Sequence, residues 1–104
     1  DLWSAPAERI RGFVRGTPPR PGSWTVLDGE RFGIHSVEIA EHSEEGLSDG
    51  EPGEVVLADP KRGIAVATGG APVWLKTVQP PGKRPMDGEA WLRGARITPG
   101  VRFE

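Results

Sequence analysis

Apolar residues recur at the spacing of a helical face near the start of the chain. Ile10, Phe13 and Val14 stand at positions i, i+3 and i+4, so they belong to one side of a helix. A serine before them can cap the helix, and two consecutive prolines after them must end it, because proline supplies no backbone donor. The pattern predicts an N-terminal helix from about Ser4 to Gly16.

A second stretch of helical spacing lies near the other end of the chain. Trp91, Leu92 and Ala95 form one apolar stripe, and Asp87 stands where an N-cap residue is expected. The pattern predicts a short helix from about Gly88 to Ala95 with Trp91 buried. A helix of this length is not stable alone, so it must pack against the rest of the chain.

Between the helices, apolar residues alternate with polar ones in five short runs separated by turn residues, which is typical of β-strands. The apolar parity changes near His35-Ser36 and again at Val78, so we expect β-bulges there. A mainly β fold follows: a small five-stranded, OB-fold-like Greek-key barrel with an N-terminal helix and a short C-terminal helix. The predicted strands are Ser23–Asp28, Arg31 to about Glu41, Val55–Ala58, Ile64–Thr68 and Pro72–Val78.

Composition predicts a single packed domain over residues 1–104. The 15 glycines and 11 prolines indicate many turns, while four tryptophans and regular aliphatic alternation favour a packed core over disorder. There is no cysteine, which excludes disulfides and thiolate metal sites. No apolar run approaches the roughly 18 residues of a membrane-spanning helix, and we expect no signal peptide. We therefore expect a soluble, cytoplasmic monomer without a membrane contact.

Charge is distributed unevenly along the chain. Glu38–Glu54 holds seven of the fifteen acidic residues and no Lys or Arg, which leaves eight acids against thirteen bases, or +5, elsewhere. Such a distribution suits the binding of a polyanion by the basic part. The polar segment Ser43–Pro52, in which Leu47 is the one packing signal, predicts a surface loop. We expect the acidic segment around it, Glu41–Glu54, to be mobile and to oppose polyanion binding.

Side chains suited to catalysis or metal binding are sparse. The two histidines, His35 and His42, are interpreted as structural or solvated rather than as a metal pair or a general base. The acidic segment lacks the ligand spacing of a calcium loop, and the serines lack the context of a nucleophile. Trp24, Trp74 and Trp91 alternate with core positions, which favours a place in the core over stacking on bases. We predict no catalytic residue and no metal site in this chain.

Two ordered motifs carry a resemblance to a known family. The first is Ile10, Phe13, Val14 and Arg15, followed by Pro19-x-Pro21-Gly22-Ser23-Trp24-Thr25 and Leu27-Asp28-Gly29; the second is Lys83-Arg84-Pro85-Met86, Trp91-Leu92-Arg93-Gly94 and Arg96-Ile97-Thr98-Pro99-Gly100. Together they resemble the C-terminal domain of methionyl-tRNA formyltransferase over nearly the whole chain. The resemblance implies the barrel fold and an excised or truncated domain.

The same resemblance implies a binding function without catalysis. Formyl transfer in that family belongs to a separate N-terminal domain, where 10-formyltetrahydrofolate is expected, so the chain alone should not be an enzyme and should hold no cofactor. Its partners would be that domain and tRNA, which it would contact through phosphates. By position the candidate contacts are Lys83 and Arg84, supported by Arg93 and Arg96, with Lys61, Arg62 and Lys76 on the barrel and Arg11, Arg15 and Arg20 at its entrance.

Two other functions stay open on sequence grounds. In the first, the chain is the packing or assembly domain of a formyltransferase acting on a sugar nucleotide or a biosynthetic peptide precursor. In the second, it is a free-standing protein-interaction barrel. Ordinary solubilising charge would explain the basic residues in both cases.

Overall fold

A computed structural model of the chain describes residues 2–16, 23–41, 47 and 49–104. A 3-10 turn, Leu2–Ser4, precedes helix α1, Ala7–Gly16. The helix starts later than expected, because the Pro6 carbonyl accepts the first helical hydrogen bonds from the backbone of residues 9 and 10.

The buried face of α1 follows the expected spacing in part. Ile10 and Val14 are buried together with Ala7, and α1 packs on the second strand. Phe13 was expected on the same stripe, yet 52% of its surface is exposed. Ala7, Ile10 and Val14 already define the line of contact with the sheet, so Phe13 lies on its flank.

The strands match the predicted ones to within one or two residues, with one addition. The sixth strand is a two-residue pairing that leads directly into the second helix. In chain order the elements are β1 Ser23–Leu27, β2 Glu30–Ile39, β3 Val55–Asp59, β4 Gly63–Val66, β5 Val73–Gln79, β6 Met86–Asp87 and α2 Gly88–Gly94.

The strands form one antiparallel sheet in the order β1-β2-β5-β4-β3, with β6 paired to β5. The mainly β class with two helices is therefore confirmed. The expected barrel is not closed by strand pairing: in the part of the chain described, β1 and β3 remain the two edges of the sheet.

The C-terminal segment, residues 101–104, lies between these two edges. On one side the Val55 N–H donates to the Val101 carbonyl and the Phe103 N–H donates to the Gly53 carbonyl, both at 2.7 Å. On the other side the Glu104 N–H donates to the Val26 carbonyl at 2.9 Å. The segment thus satisfies backbone groups at both edges, in the place where strand pairing would close a barrel.

The predicted bulges are confirmed where β2 meets β5. Ile34 pairs with Val78 and Ser36 pairs with Thr77, so one residue of β2 is left over between them. A second shift follows directly along the same pair of strands. The two shifts bring the apolar side chains on either side of them to the same face of the sheet.

Four aromatic side chains from distant parts of the chain form the centre of the core. This aromatic cluster consists of Trp3, Phe32, Trp91 and Phe103, whose neighbouring ring centroids are 4.7 to 6.3 Å apart. The Trp3 indole also donates to Thr25 Oγ1 at 2.8 Å, and that hydroxyl donates to the backbone carbonyl of the last residue. The cluster therefore joins both chain ends to β1 and α2.

A smaller apolar cluster lies on the other face of β3 and β4. Val56, Ala65 and Ala67 are buried there, and Leu47 and Trp74 pack against them. Leu47 is the packing signal predicted for the polar segment, and it packs here as expected. The alanines leave a shallow surface that a leucine side chain can cover. His42 and half of the predicted loop, residues 43–46 and 48, lie outside the described residues.

Candidate nucleic-acid interface

Lys83 and Arg84 lie in the turn that leaves β5. In this basic turn, residues 80–84, the Lys83 N–H donates to the Pro80 carbonyl at 3.1 Å. Gly82 has φ +71°, a conformation that glycine adopts without strain, and a proline precedes it, as in a type II turn. Both basic side chains are exposed. The turn therefore presents two adjacent cations to solvent.

Helix α2 packs beside the basic turn because its start fits closely against β5. A side chain at Gly88 would collide with the Leu75 carbonyl, so only glycine allows this approach. Asp87 occupies the N-cap position as expected, but its side chain makes no capping hydrogen bond. Trp91 and Leu92 are buried, which confirms the predicted docking of this helix.

A groove of about 280 Å³ separates the basic turn from α2. Lys83 lines one side of it, and Ala90 and Gly94 line the other. Arg93 lies in the last turn of α2 and Arg96 follows just after its end, both exposed. The structure thus brings Lys83 next to α2, the helix that contains Arg93 and ends just before Arg96. These are the two arginines predicted to bind phosphate together with Lys83.

Lys61 and Arg62 lie in another turn, between β3 and β4. The Asp59 carboxylate accepts hydrogen bonds from the Lys61 and Arg62 backbone N–H groups, at 2.8 and 3.4 Å. The bond from Lys61 is the main cause of a lowered pKa at Asp59, because it stabilises the charged carboxylate. Lys61 and Arg62 are exposed, so the turn is ordered through its backbone while its basic side chains lie at the surface.

Lys76 is partly engaged by an acidic neighbour. Its ammonium lies 3.7 Å from a carboxylate oxygen of Glu89 in the first turn of α2. The pair is about one-third exposed, so its attraction is screened by water. Lys76 therefore offers a phosphate a cation whose charge is already partly neutralised.

Arg15 belongs to a different part of the fold. It is exposed in the last turn of α1, the helix that packs on β2. Arg11, on the same helix, is partly buried. Arg20 lies outside the described residues. The predicted contacts that the structure describes therefore fall on four parts of the fold: the basic turn with α2, the β3–β4 turn, strand β5 and α1.

Two tryptophans expected in the core are instead half-buried and covered by cations. The Arg31 guanidinium lies 4.5 Å from the ring centre of Trp24, and that of Arg62 lies 5.7 Å from the ring centre of Trp74. Such contacts stabilise a cation by the negative face of the ring. Each tryptophan alternates with buried residues of its own strand, Trp24 with Ser23 and Thr25 and Trp74 with Val73 and Leu75, so its side chain lies on the opposite face of the sheet.

The remaining candidates for chemistry give no clustered site. His35 Nε2 lies 2.9 Å from Gln79 Oε1, a contact between side chains on neighbouring strands. No group of three or more His, Asp or Glu side chains within the described ranges is placed to hold a metal ion. Among the described helices, none is long and apolar enough to cross a membrane.

Comparison with known proteins decides the family. A family model described as "Formyl transferase, C-terminal domain" matches residues 2–96. The chain belongs to this family. The resemblance to the C-terminal domain of methionyl-tRNA formyltransferase, expected from the two motifs, is therefore confirmed.

Curated relatives of this formyl transferase C-terminal domain carry the name methionyl-tRNA formyltransferase. The protein from Acidothermus cellulolyticus is 42% identical over 112 residues, covering 98% of this chain and 35% of the relative. The protein from Streptomyces coelicolor is 44% identical over 101 residues, covering 96% of this chain and 30% of the relative. The protein from Leifsonia xyli subsp. xyli is 48% identical over 90 residues, covering 86% of this chain and 28% of the relative. The chain thus spans about a third of the length of these relatives. Their names do not favour a sugar nucleotide or peptide precursor as the parent substrate.

The family match contains all the candidate basic residues but not the whole core of the domain. Phe103 lies beyond residue 96, although its ring is buried in the aromatic cluster. Sequence reasoning missed it, since a single phenylalanine in a four-residue tail has no periodicity. The Arg31–Trp24 contact was also missed. Its signal was present, because a two-residue hairpin at Asp28-Gly29 fixes Trp24 opposite Gly33 and next to Arg31 on the same face.

Proposed function

We propose that this domain binds tRNA through its phosphate groups and so holds it for a separate catalytic domain that transfers the formyl group. The observation that carries the proposal is the meeting of Lys83, on the basic turn, with the helix whose last turn carries Arg93. The exposed Lys83 lines one side of the groove, and the helix on the other side carries the exposed Arg93 in its last turn. The relatives' name, which contains methionyl-tRNA, supplies the class of polyanion.

Phosphate contacts of this kind give affinity without sequence selectivity. Exposed lysines and arginines release counterions from the nucleic acid, and the released ions make binding strongly dependent on salt. Three to five contacts would give a log–log salt slope of about −2 to −4 and a dissociation constant of about 10⁻⁶ to 10⁻⁴ M at physiological salt. The domain would thus position tRNA weakly, and the selection of the right tRNA would rest elsewhere.

The chain would supply contacts and no chemistry. The histidine with a described partner is held by an amide side chain, not by a carboxylate that would make it a general base. In this account 10-formyltetrahydrofolate binds to the catalytic domain, and the protein as a whole is a formyltransferase. The domain described here would serve to keep the acceptor end of tRNA within reach of that cofactor.

Charge reversal at the basic turn tests the proposal. In anisotropy titrations of labelled tRNA at low salt, Lys83→Glu/Arg84→Glu should weaken binding by at least about tenfold and lower the steepness of the salt dependence by about two. The loss should be equal for initiator and elongator tRNA, because phosphates carry no sequence.

The double variant Arg9→Glu/Arg102→Glu is the matched control. Each reversal lowers the formal charge by two, so both double variants move from −2 to −6. Arg9 and Arg102 are exposed and lie outside the predicted set. An equal loss in the control would mean that net charge alone governs binding, and absence of binding at low salt would contradict the proposal outright.

A further inference from the structure

Gln79 links two parts of the molecule at the base of the basic turn. It is the last residue of β5, and its side-chain Oε1 lies 2.9 Å from His35 Nε2 on β2. Its side-chain Nε2 donates to the Lys83 carbonyl at 3.1 Å. One amide group therefore connects the sheet with the backbone of the residue that leads the predicted phosphate contacts.

The chemistry of the three groups fixes how this link is oriented. A backbone carbonyl only accepts hydrogen bonds, so the amide NH₂ of Gln79 must face Lys83 and its oxygen must face His35. That oxygen in turn requires a proton on His35 Nε2. The Gln79 amide therefore connects His35 with the Lys83 carbonyl through one acceptor and one donor.

Packing around Gly33 restricts the same side chains further. Gly33 pairs with Trp24 on one side and with Gln79 on the other, in a row across three strands. A Cβ atom built at Gly33 would lie 3.2 Å from the Trp24 ring, 3.2 Å from the Gln79 Cβ and 3.3 Å from His35 Nε2. These neighbours therefore occupy the space that a side chain would take, and the packing limits the rotamers open to Gln79.

We propose that Gln79 is a positioning residue that holds the basic turn in its binding conformation, with His35 as its anchor on the sheet. The consequence for RNA rests on the proposed function, whereas the consequence for the turn does not. Without the Gln79 contact, the pairing of β5 with β6 still holds the two ends of the turn, but within residues 80–84 the described hydrogen bond is the internal one from the Lys83 N–H to the Pro80 carbonyl. The two cations would then sample more orientations, and binding would carry the cost of ordering them.

Two substitutions at Gln79 separate the parts of the link. Gln79→Met keeps the length and removes both hydrogen bonds, while Gln79→Glu keeps the acceptor for His35 and removes the donor to Lys83. Thr77→Val is the control, because Thr77 is on the same strand and bonds to Ser36 at 2.9 Å, away from the turn. Each variant is measured by thermal unfolding, by hydrogen exchange of the Lys83 amide and by the salt dependence of tRNA binding.

Both Gln79 variants should accelerate exchange of the Lys83 amide by about three- to tenfold, the range of one net hydrogen bond, and raise the tRNA dissociation constant by about two- to fivefold. Their unfolding temperatures should stay near that of Thr77→Val, which should change neither exchange nor binding. If the Lys83 amide exchanges at the wild-type rate in either Gln79→Met or Gln79→Glu, Gln79 does not hold the turn.

The binding data distinguish this inference from the function on which it rests. One outcome would contradict the positioning role. In it, the Gln79 variants accelerate exchange of the Lys83 amide and Lys83→Glu/Arg84→Glu weakens tRNA binding, but neither Gln79 variant weakens tRNA binding. Gln79 would then hold the turn without any effect on RNA binding. If the charge reversal itself leaves binding unchanged, the proposed function fails. In that case hydrogen exchange of the Lys83 amide alone tests Gln79, and faster exchange in both Gln79 variants still establishes that Gln79 holds the turn.

Discussion

The aromatic cluster and the basic turn are built in opposite ways. The cluster brings together residues 3, 32, 91 and 103, which are distant in sequence, and it excludes water from all four rings. The basic turn places two cations side by side through local backbone geometry and leaves them in solvent. Stability therefore depends on long-range contacts, whereas the proposed binding depends on a local segment that lies between the paired strands β5 and β6 and that Gln79 also fixes to the sheet. Substitutions in the two regions should affect different measurements.

The largest effect is expected from the cluster. Phe103→Ala should lower the free energy of unfolding by about 3 to 5 kcal/mol, because it removes a buried ring and leaves a cavity. Phe13→Ala is the matched control and should cost far less, since its ring is 52% exposed. Urea denaturation of both variants measures the difference. Equal losses would mean that the tail does not complete the core.

A smaller effect separates the two glycines at the ends of α2. Gly88→Ala should cost about 1 to 3 kcal/mol, since the added methyl group meets the Leu75 carbonyl. Gly94→Ala should be neutral or slightly stabilising, because space is open there and alanine favours helix. Thermal unfolding gives the comparison. If Gly88→Ala matches wild type, α2 does not approach β5 as closely as described, and the groove beside Lys83 is shaped differently.

Removal of acidic charge should change tRNA binding without changing the stability of the core. Asp49 and Glu51 are exposed, so Asp49→Asn/Glu51→Gln should leave stability within about 0.5 kcal/mol. Affinity for tRNA should rise by a few-fold at low salt and return to the wild-type value as salt is added, because screening acts over about 8 Å at physiological ionic strength. Weaker binding in this variant would show that the acidic segment takes part in recognition.

The smallest effect concerns the β3–β4 turn and its pH dependence. The pKa of Asp59 is lowered by the Lys61 backbone N–H, so the folded state binds this proton less readily than the unfolded state. The stabilisation is therefore present above the unfolded pKa, about 3.9, and is lost as pH falls through the folded value. The difference in melting temperature between wild type and Asp59→Ala should narrow below pH 4. A difference that stays constant down to pH 2 would contradict this assignment.

Local patterns in the sequence were sufficient for much of this structure. Cap and stripe residues located α2, and the change of parity at His35-Ser36 located the bulge, because both depend on neighbours in sequence. Phe103 and the C-terminal segment could not be found in that way. Their place depends on which edges the open sheet leaves unpaired, and only the full strand order determines this.

In the candidate site, too, some features could be predicted from local sequence and others depend on the tertiary fold. The exposure of Lys83 and Arg84 followed from a Pro-Gly turn that could be recognised in the sequence. The partial neutralisation of Lys76 by Glu89 could not be predicted, because it requires α2 to lie across β5. The half-buried positions of Trp24 and Trp74 depend on which face of the sheet each strand turns inward.

Amide chemical-shift mapping during a tRNA titration at low salt tests most directly whether binding and stability reside in separate regions. The account predicts that the shifts are concentrated in residues 82–84 and 93–96, with smaller changes at 61–62. Residues 53–55 and 101–104, which complete the core, should stay unperturbed. Shifts centred on the C-terminal segment, or spread evenly over the sheet, would contradict the account.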